Sequence, residues 1–140
     1  MSKSKKILII DDEPDARAFL KAVLEDEGYE TMVASNGEEG LKVARETLPN
    51  MITLDLMMPN KSGVGFLNAA RADEKLKEIP IVVCSGARYA TGVDMKQYLE
   101  SQPFGDRKKG NTEPVDITPD GYLEKPIKPA ELLELVKKLT

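Results

Sequence analysis

Histidine is absent from this chain of 140 residues. That removes the usual zinc sites, Ser-His-Asp catalysis and any role as a phosphohistidine carrier. Cys84 is the single cysteine, so neither an internal disulfide nor a cysteine metal site can form, which fits a reducing compartment, and its apolar setting reads as core packing. No apolar run approaches the roughly 20 residues of a membrane span. Met1-Ser2-Lys3-Ser4-Lys5-Lys6 is basic but has no signal-peptide core behind it, so the expected location is cytoplasmic, with no membrane contact. A basic excess is lacking too: the formal net charge is −4, against a nucleic-acid surface of its own. There is no G-x-x-x-x-G-K-[ST] loop for a nucleoside triphosphate and no Ser/Thr/Gly-rich phosphate loop of the flavodoxin kind after the first apolar run.

What is present is an ordinary globular composition, 41% hydrophobic and 31% charged, of a length suited to one domain over residues 1–140. Ile7-Leu8-Ile9-Ile10 is a continuous, β-branched run that reads as a strand buried on both faces, and it stops at Asp11-Asp12-Glu13-Pro14. Pro14 suits the first turn of a helix capped by Asp12 or Glu13, with Ala16, Phe19, Leu20, Val23 and Leu24 as the inner stripe and Gly28 as the stop. Tyr29 to Ala34 reads as an edge-type strand. Gly37, Leu41, Ala44 and Leu48 line the face of a second helix, closed by Pro49-Asn50.

Met51 to Asp55 is the next apolar strand. Pro59 cannot continue a ladder, so the chain turns just beyond the acid. Asn60-Lys61-Ser62-Gly63 reads as a turn, and Val64 to Ala72 as a helix with Leu67 and Ala70 inward. Ile79 to Ser85 is a further buried strand, followed by a helix over Ala90 to Leu99, a short strand Gly121-Tyr122-Leu123 and a last helix begun by Pro129 with Leu132, Leu133, Val136 and Leu139 inward. Strands and helices alternating in this way call for an α/β domain: a parallel sheet with helices on both faces and right-handed crossovers. Ser101 to Asp120, with three prolines, two glycines and the basic run Arg107-Lys108-Lys109, has almost no apolar period and is expected to be an exposed insertion before the last strand.

In such a sheet the carboxyl ends of the strands bring Asp11, Asp12, Asp55, Ser85 and Lys125 to one edge. Three neighbouring carboxylates repel and need a cation to stay ionised together. Oxygen ligands without His or Cys favour Mg²⁺. A carboxylate can act as nucleophile toward phosphorus, while an ammonium from Lys125 and a hydroxyl from Ser85 meet the oxygens of the transferring group.

These residues, in this order and on these elements, resemble the receiver domains of two-component response regulators, the flavodoxin-like family that includes the chemotaxis regulator. The resemblance implies a doubly wound five-stranded sheet of order 2-1-3-4-5. It implies that Asp55, in Leu54-Asp55-Leu56-Met57-Met58-Pro59, is the phosphoacceptor. Asp12 would be a direct Mg²⁺ ligand, Asp11 would act mainly through water, and the backbone carbonyl of Met57 would be a further ligand. Ser85 would be the switch hydroxyl, Lys125 before Pro126 the phosphate-binding lysine, and Tyr122 the aromatic whose rotation reports phosphorylation. The implied donor is a sensor histidine kinase or a phosphotransfer protein, serving an output protein the sequence does not name, with the chain a monomer or a phosphorylation-dependent homodimer.

Two departures carry expectations of their own. The stretch from Ser85 to Lys125 is about twice the family's usual length, so the 101–120 insertion is expected to alter partner choice or block the usual dimer. Met57 and Ala87, two residues after the acceptor and the switch hydroxyl, cannot hydrogen-bond an attacking water through their side chains, so self-dephosphorylation is expected to be slow. With no output domain after Thr140, the expectation is a stand-alone phosphorylation switch rather than an enzyme; alternatives are a fragment of a longer regulator or a pseudo-receiver that binds partners without phosphorylation. A metal-dependent phosphohydrolase would need a second Asp where Met57 stands.

Overall fold

The computed structural model describes residues 5–56, 58, 62–85 and 118–140, with Ser62 and Ser85 described by their backbone only. The element order is β1 (Lys6–Ile10), α1 (Pro14–Asp26), β2 (Glu30–Ala34), α2 (Gly37–Thr47), β3 (Met51–Asp55), α3 (Ser62–Ala72), β4 (Ile81–Ser85), β5 (Gly121–Glu124) and α4 (Pro129–Leu139). The five strands form one sheet of order β2-β1-β3-β4-β5, every neighbouring pair parallel. This is the expected doubly wound α/β architecture.

Alternation along each strand divides the core into two layers. Leu8, Ile10, Ile52, Leu54, Ile81 and Val83 point to one face, where Ala44 of α2 and Val64, Phe66, Leu67 and Ala70 of α3 cover them. Ile7, Ile9, Met51, Val82, Cys84 and Leu123 point to the other, beneath Leu20 and Leu24 of α1 and Leu132 and Val136 of α4. Each fully buried Leu or Ile is worth about 1.5–3 kcal/mol, several times the ~0.3–0.5 kcal/mol of an exposed helix pair such as Lys21–Glu25 (2.7 Å). The apolar stripes therefore dock the helices.

Local chemistry sets the helix ends. At the start of α2 the Asn36 side chain accepts from the Glu39 N–H (2.8 Å), while Glu39 Oε1 accepts from the Ser35 N–H (2.6 Å) and hydroxyl (2.9 Å), a reciprocal capping arrangement. Those bonds hold the Glu39 carboxyl below its usual range. At the start of α1 the expected side-chain cap is not formed by Asp12 or Glu13: Glu13 takes the cap position without a side-chain bond, and the Asp11 carboxylate instead accepts from the Glu13 N–H (2.9 Å).

Three expectations need correction. Leu48 does not line the inner face of α2; Pro49 disfavours right-handed helix for the residue before it, and Leu48 turns left-handed (φ 48°, ψ 65°) with its side chain exposed. Phe19 is 43% exposed rather than sealed in the α1 stripe. The segment before β5 is not exposed to its end, since Pro119 is buried and Asp120 is bonded to the sheet. The expected helix over 90–99, the run Arg107-Lys108-Lys109 and the rest of the insertion up to residue 117 lie outside the described residues.

Candidate functional site: an acidic pocket at the carboxyl edge of the sheet

β1 ends at Ile10, opposite Leu54, so Asp11 and Asp55 follow on adjacent strands at nearly the same height. The Asp11 N–H is held by the carbonyl of Ala34 at the end of β2 (3.1 Å), and its own carbonyl accepts from Arg17 Nη1 (2.7 Å). Carboxylate oxygens of Asp11, Asp12 and Asp55 all lie within 4.8 Å of one another, Asp11 and Asp55 buried and Asp12 exposed. The other side of the pocket comes from beyond β5. Lys125 Nζ reaches back across the edge to Asp11 Oδ2 (3.0 Å) and Asp55 Oδ2 (3.5 Å), with Glu13 Oε1 at 3.8 Å.

One ammonium thus faces three acids, Asp11, Asp55 and Glu13. Burial opposes its charge, but the hydrogen bond to Asp11 and the charges of Asp55 and Asp11 prevail and raise the Lys125 pKa above its usual 10.5. A raised folded-state pKa means that this charge's contribution to stability is complete below pH 10.5 and is lost as the pH climbs through the raised value. Both Asp11 oxygens are engaged, Oδ1 by the Glu13 N–H and Oδ2 by Lys125. Behind the pocket, burial pushes the Cys84 thiol up to about 12, with Lys125 opposing and Asp11 and Asp55 adding to the rise. Cys84 is core, as its apolar setting suggested.

The all-oxygen donor set fits a hard divalent cation such as Mg²⁺. Beside it, Ala16, Phe19, Leu20, Pro126 and Ile127 line an apolar pocket of about 290 Å³ that Asp11 and Lys125 border. The peptide bond between Lys125 and Pro126 is cis.

Of the residues singled out in the sequence, the fold brings together Asp11, Asp12, Asp55 and Lys125. Ser85 closes β4 at the same edge, opposite Glu124; its hydroxyl, Met57 and Ala87 lie outside the described residues. Tyr122, on β5 opposite Val83, is half-buried and packs against the layer covered by α2 and α3. The sequence reading missed Glu13 as a neighbour of Lys125, although the third consecutive acid was a readable signal, and Arg17, whose tie to the Asp11 carbonyl has none. It also missed Gly63. Read as part of a turn, it lies in the first turn of α3, where an added Cβ would stand 2.5 Å from the Asp55 carbonyl oxygen and 2.7 Å from Leu56 Cα.

A family model described as the response regulator receiver domain matches residues 7–102. The chain belongs to the response regulator receiver family. Among curated relatives, the DNA-binding response regulator MtrA of Mycolicibacterium smegmatis is 34% identical over 133 residues, covering 95% of this chain and 49% of that protein. An uncharacterized 14.6 kDa protein of Leptolyngbya boryana is 33% identical over 132 residues, covering 94% of this chain and 87% of that protein. Among solved structures, the chemotaxis protein CheY4 of Vibrio cholerae superposes with a TM-score of 0.78 at 26% identity, covering 99% of this chain and all of that one (100%). A CheY-like receiver domain protein from Methanospirillum hungatei gives 0.74 at 26% identity, covering 97% and 93%. The chain spans about half the length of the first curated relatives it matches. It is therefore a receiver domain of a two-component response regulator, a signalling fold. No described helix is long and apolar enough to cross a membrane.

Proposed function

We propose that the chain, as one receiver domain over residues 1–140, accepts a phosphoryl group on Asp55 from the phosphohistidine of a sensor histidine kinase or phosphotransfer protein. The observation that carries this is the buried Asp55 carboxylate, 3.5 Å from the Lys125 ammonium and clustered with Asp11 and Asp12. In the transfer a phosphorus–oxygen bond forms to an Asp55 oxygen as the phosphorus–nitrogen bond of the phosphohistidine breaks, the electron pair leaving with the imidazole. Lys125, already charged and close to Asp55 Oδ2, neutralises an oxygen of the incoming group. Ser85, at the same edge, supplies a hydroxyl to another.

Asp12 and Asp55 would hold Mg²⁺ directly, with the Met57 carbonyl; Asp11, whose two oxygens are engaged, would act through water. When bound, the ion supplies charge neutralisation between the carboxylates and the phosphoryl oxygens. Exposed Phe19 and the apolar pocket beside it offer the donor protein a contact next to the acceptor. Once formed, the acyl phosphate draws Ser85 inward, Tyr122 follows, and a two-state surface shifts toward a form that binds an output protein. The cytoplasm is the compartment this reading implies.

Incubation with a small phosphodonor and Mg²⁺, followed by mass measurement, tests it. The native chain is expected to gain one phosphoryl group and the Asp55→Asn variant none. Equal gain by both, or by neither, would remove Asp55 as acceptor.

A further inference from the structure

β5 is the shortest strand of the sheet, four residues at an edge with β4 as its partner, yet the residue after it must present an ammonium to the acidic pocket. The apolar pattern does not by itself set its height. A slide of one residue would swap Tyr122 and Leu123 between the two core layers, but a slide of two keeps every face and moves Lys125 by about 6.6 Å along the strand. Something must stop that slide.

The stop lies at the opposite end of the strand. Asp120 donates its N–H to the Ile81 carbonyl (2.8 Å), and its Oδ2 accepts from the Ile81 N–H (2.8 Å). The same oxygen accepts from Arg71 Nη2 (2.8 Å), which also donates to the Thr118 carbonyl (3.0 Å). Arg71 Nη1 donates to the carbonyls of Ile79 (3.0 Å) and Lys77 (3.2 Å). The Arg71 side chain is 9% exposed, so a planar, fully charged donor fork is fixed on four oxygens in a setting where such bonds are strong. Arg71 lies in the last turn of the helix whose first turn packs Gly63 on the backbone of Asp55 and Leu56. One helix thus touches the acceptor turn at its start and the root of β5 at its end.

We propose that Arg71 is a positioning residue for the acceptor site, fixing the register of β5 through Asp120 and Thr118 and with it the reach of Lys125 to Asp55. The proposal rests on the phosphoacceptor reading above. Its test compares phosphoryl uptake from a small phosphodonor with Mg²⁺ in the native chain, Arg71→Gln, Lys125→Met and the double variant. Arg71→Gln should slow uptake about tenfold, since a misplacement of ~1 Å can cost ~10²-fold, and should leave Mg²⁺ affinity, read on the Asp12 amide resonance, unchanged. The double variant should be no slower than Lys125→Met alone, because both changes remove the same contribution.

Uptake at the native rate in Arg71→Gln would overturn the proposal, as would losses that multiply in the double variant or a parallel loss of Mg²⁺ affinity. If Arg71→Gln does not fold, Asp120→Asn, which keeps the shape of the side chain, carries the same comparison. If the native chain itself takes up no phosphoryl group, the phosphoacceptor reading fails and the positioning role is decided by the amide resonances of Leu123, Glu124 and Lys125. Displacement of those resonances in Arg71→Gln upholds the role, and unmoved resonances overturn it.

Discussion

Thr53 and Asp55 sit two residues apart on β3 in contrasting settings. Asp55 faces a cation 3.5 Å away, whereas Thr53 is 1% exposed, between Ile9 and Val82 on the neighbouring strands, and its hydroxyl has no hydrogen-bond partner among the described residues. An unsatisfied buried hydroxyl costs about 1–3 kcal/mol, so Thr53→Val should stabilise the fold by about 1 kcal/mol, read as a higher denaturant midpoint. A lower midpoint would mean that the hydroxyl has a partner in solution. The acids and Lys125 were legible in the sequence because each ends an apolar run or precedes a proline. The orphan hydroxyl of Thr53 and the carbonyl tie of Arg17 were not, since both depend on which atoms the fold places within reach.

At the scale of elements, period-two and helical spacing give the strands and most of the helices directly, and the ends carry the errors. The strand expected from Ile79 begins at Ile81, and the helix expected from Val64 begins at Ser62. In the second case a Ser-Gly pair that reads as a turn is drawn into helix because Gly63 lets α3 approach the backbone after β3. Leu48 fits the helical pattern, and the following proline overrides it. Gly63 gives a direct prediction: a methyl there meets backbone rather than a pliable side chain, so Gly63→Ala should cost about 1–3 kcal/mol and weaken Mg²⁺ binding by shifting the Asp55 turn. Gly40→Ala should cost less, because its methyl would meet the flexible end of Ile10. Equal thermal midpoints for native and Gly63→Ala chains would refute the close approach.

At the scale of the whole molecule, a parallel sheet gathers residues from distant parts of the sequence at one edge, and the site follows from topology as much as from motif. Strand order came from the family resemblance, because periodicity does not say which strands are neighbours. Three acids facing one ammonium, with Asp12 clustered beside two of them, leave the pocket negative within a chain of net charge −4, so a divalent cation should stabilise the fold. Mg²⁺ at about 100 times its dissociation constant should add about 2.7 kcal/mol, reversed by chelation and lost in Asp55→Asn; identical melting with and without the ion would count against the site. Phosphoryl transfer to Asp55 is read most closely by peptide mapping of the chain after reaction with a phosphohistidine donor and Mg²⁺. One phosphoryl group is expected, on the peptide holding Asp55 and released by hydroxylamine as an acyl phosphate must be. A hydroxylamine-stable phosphate on a serine or threonine, or no phosphate at all, would contradict it.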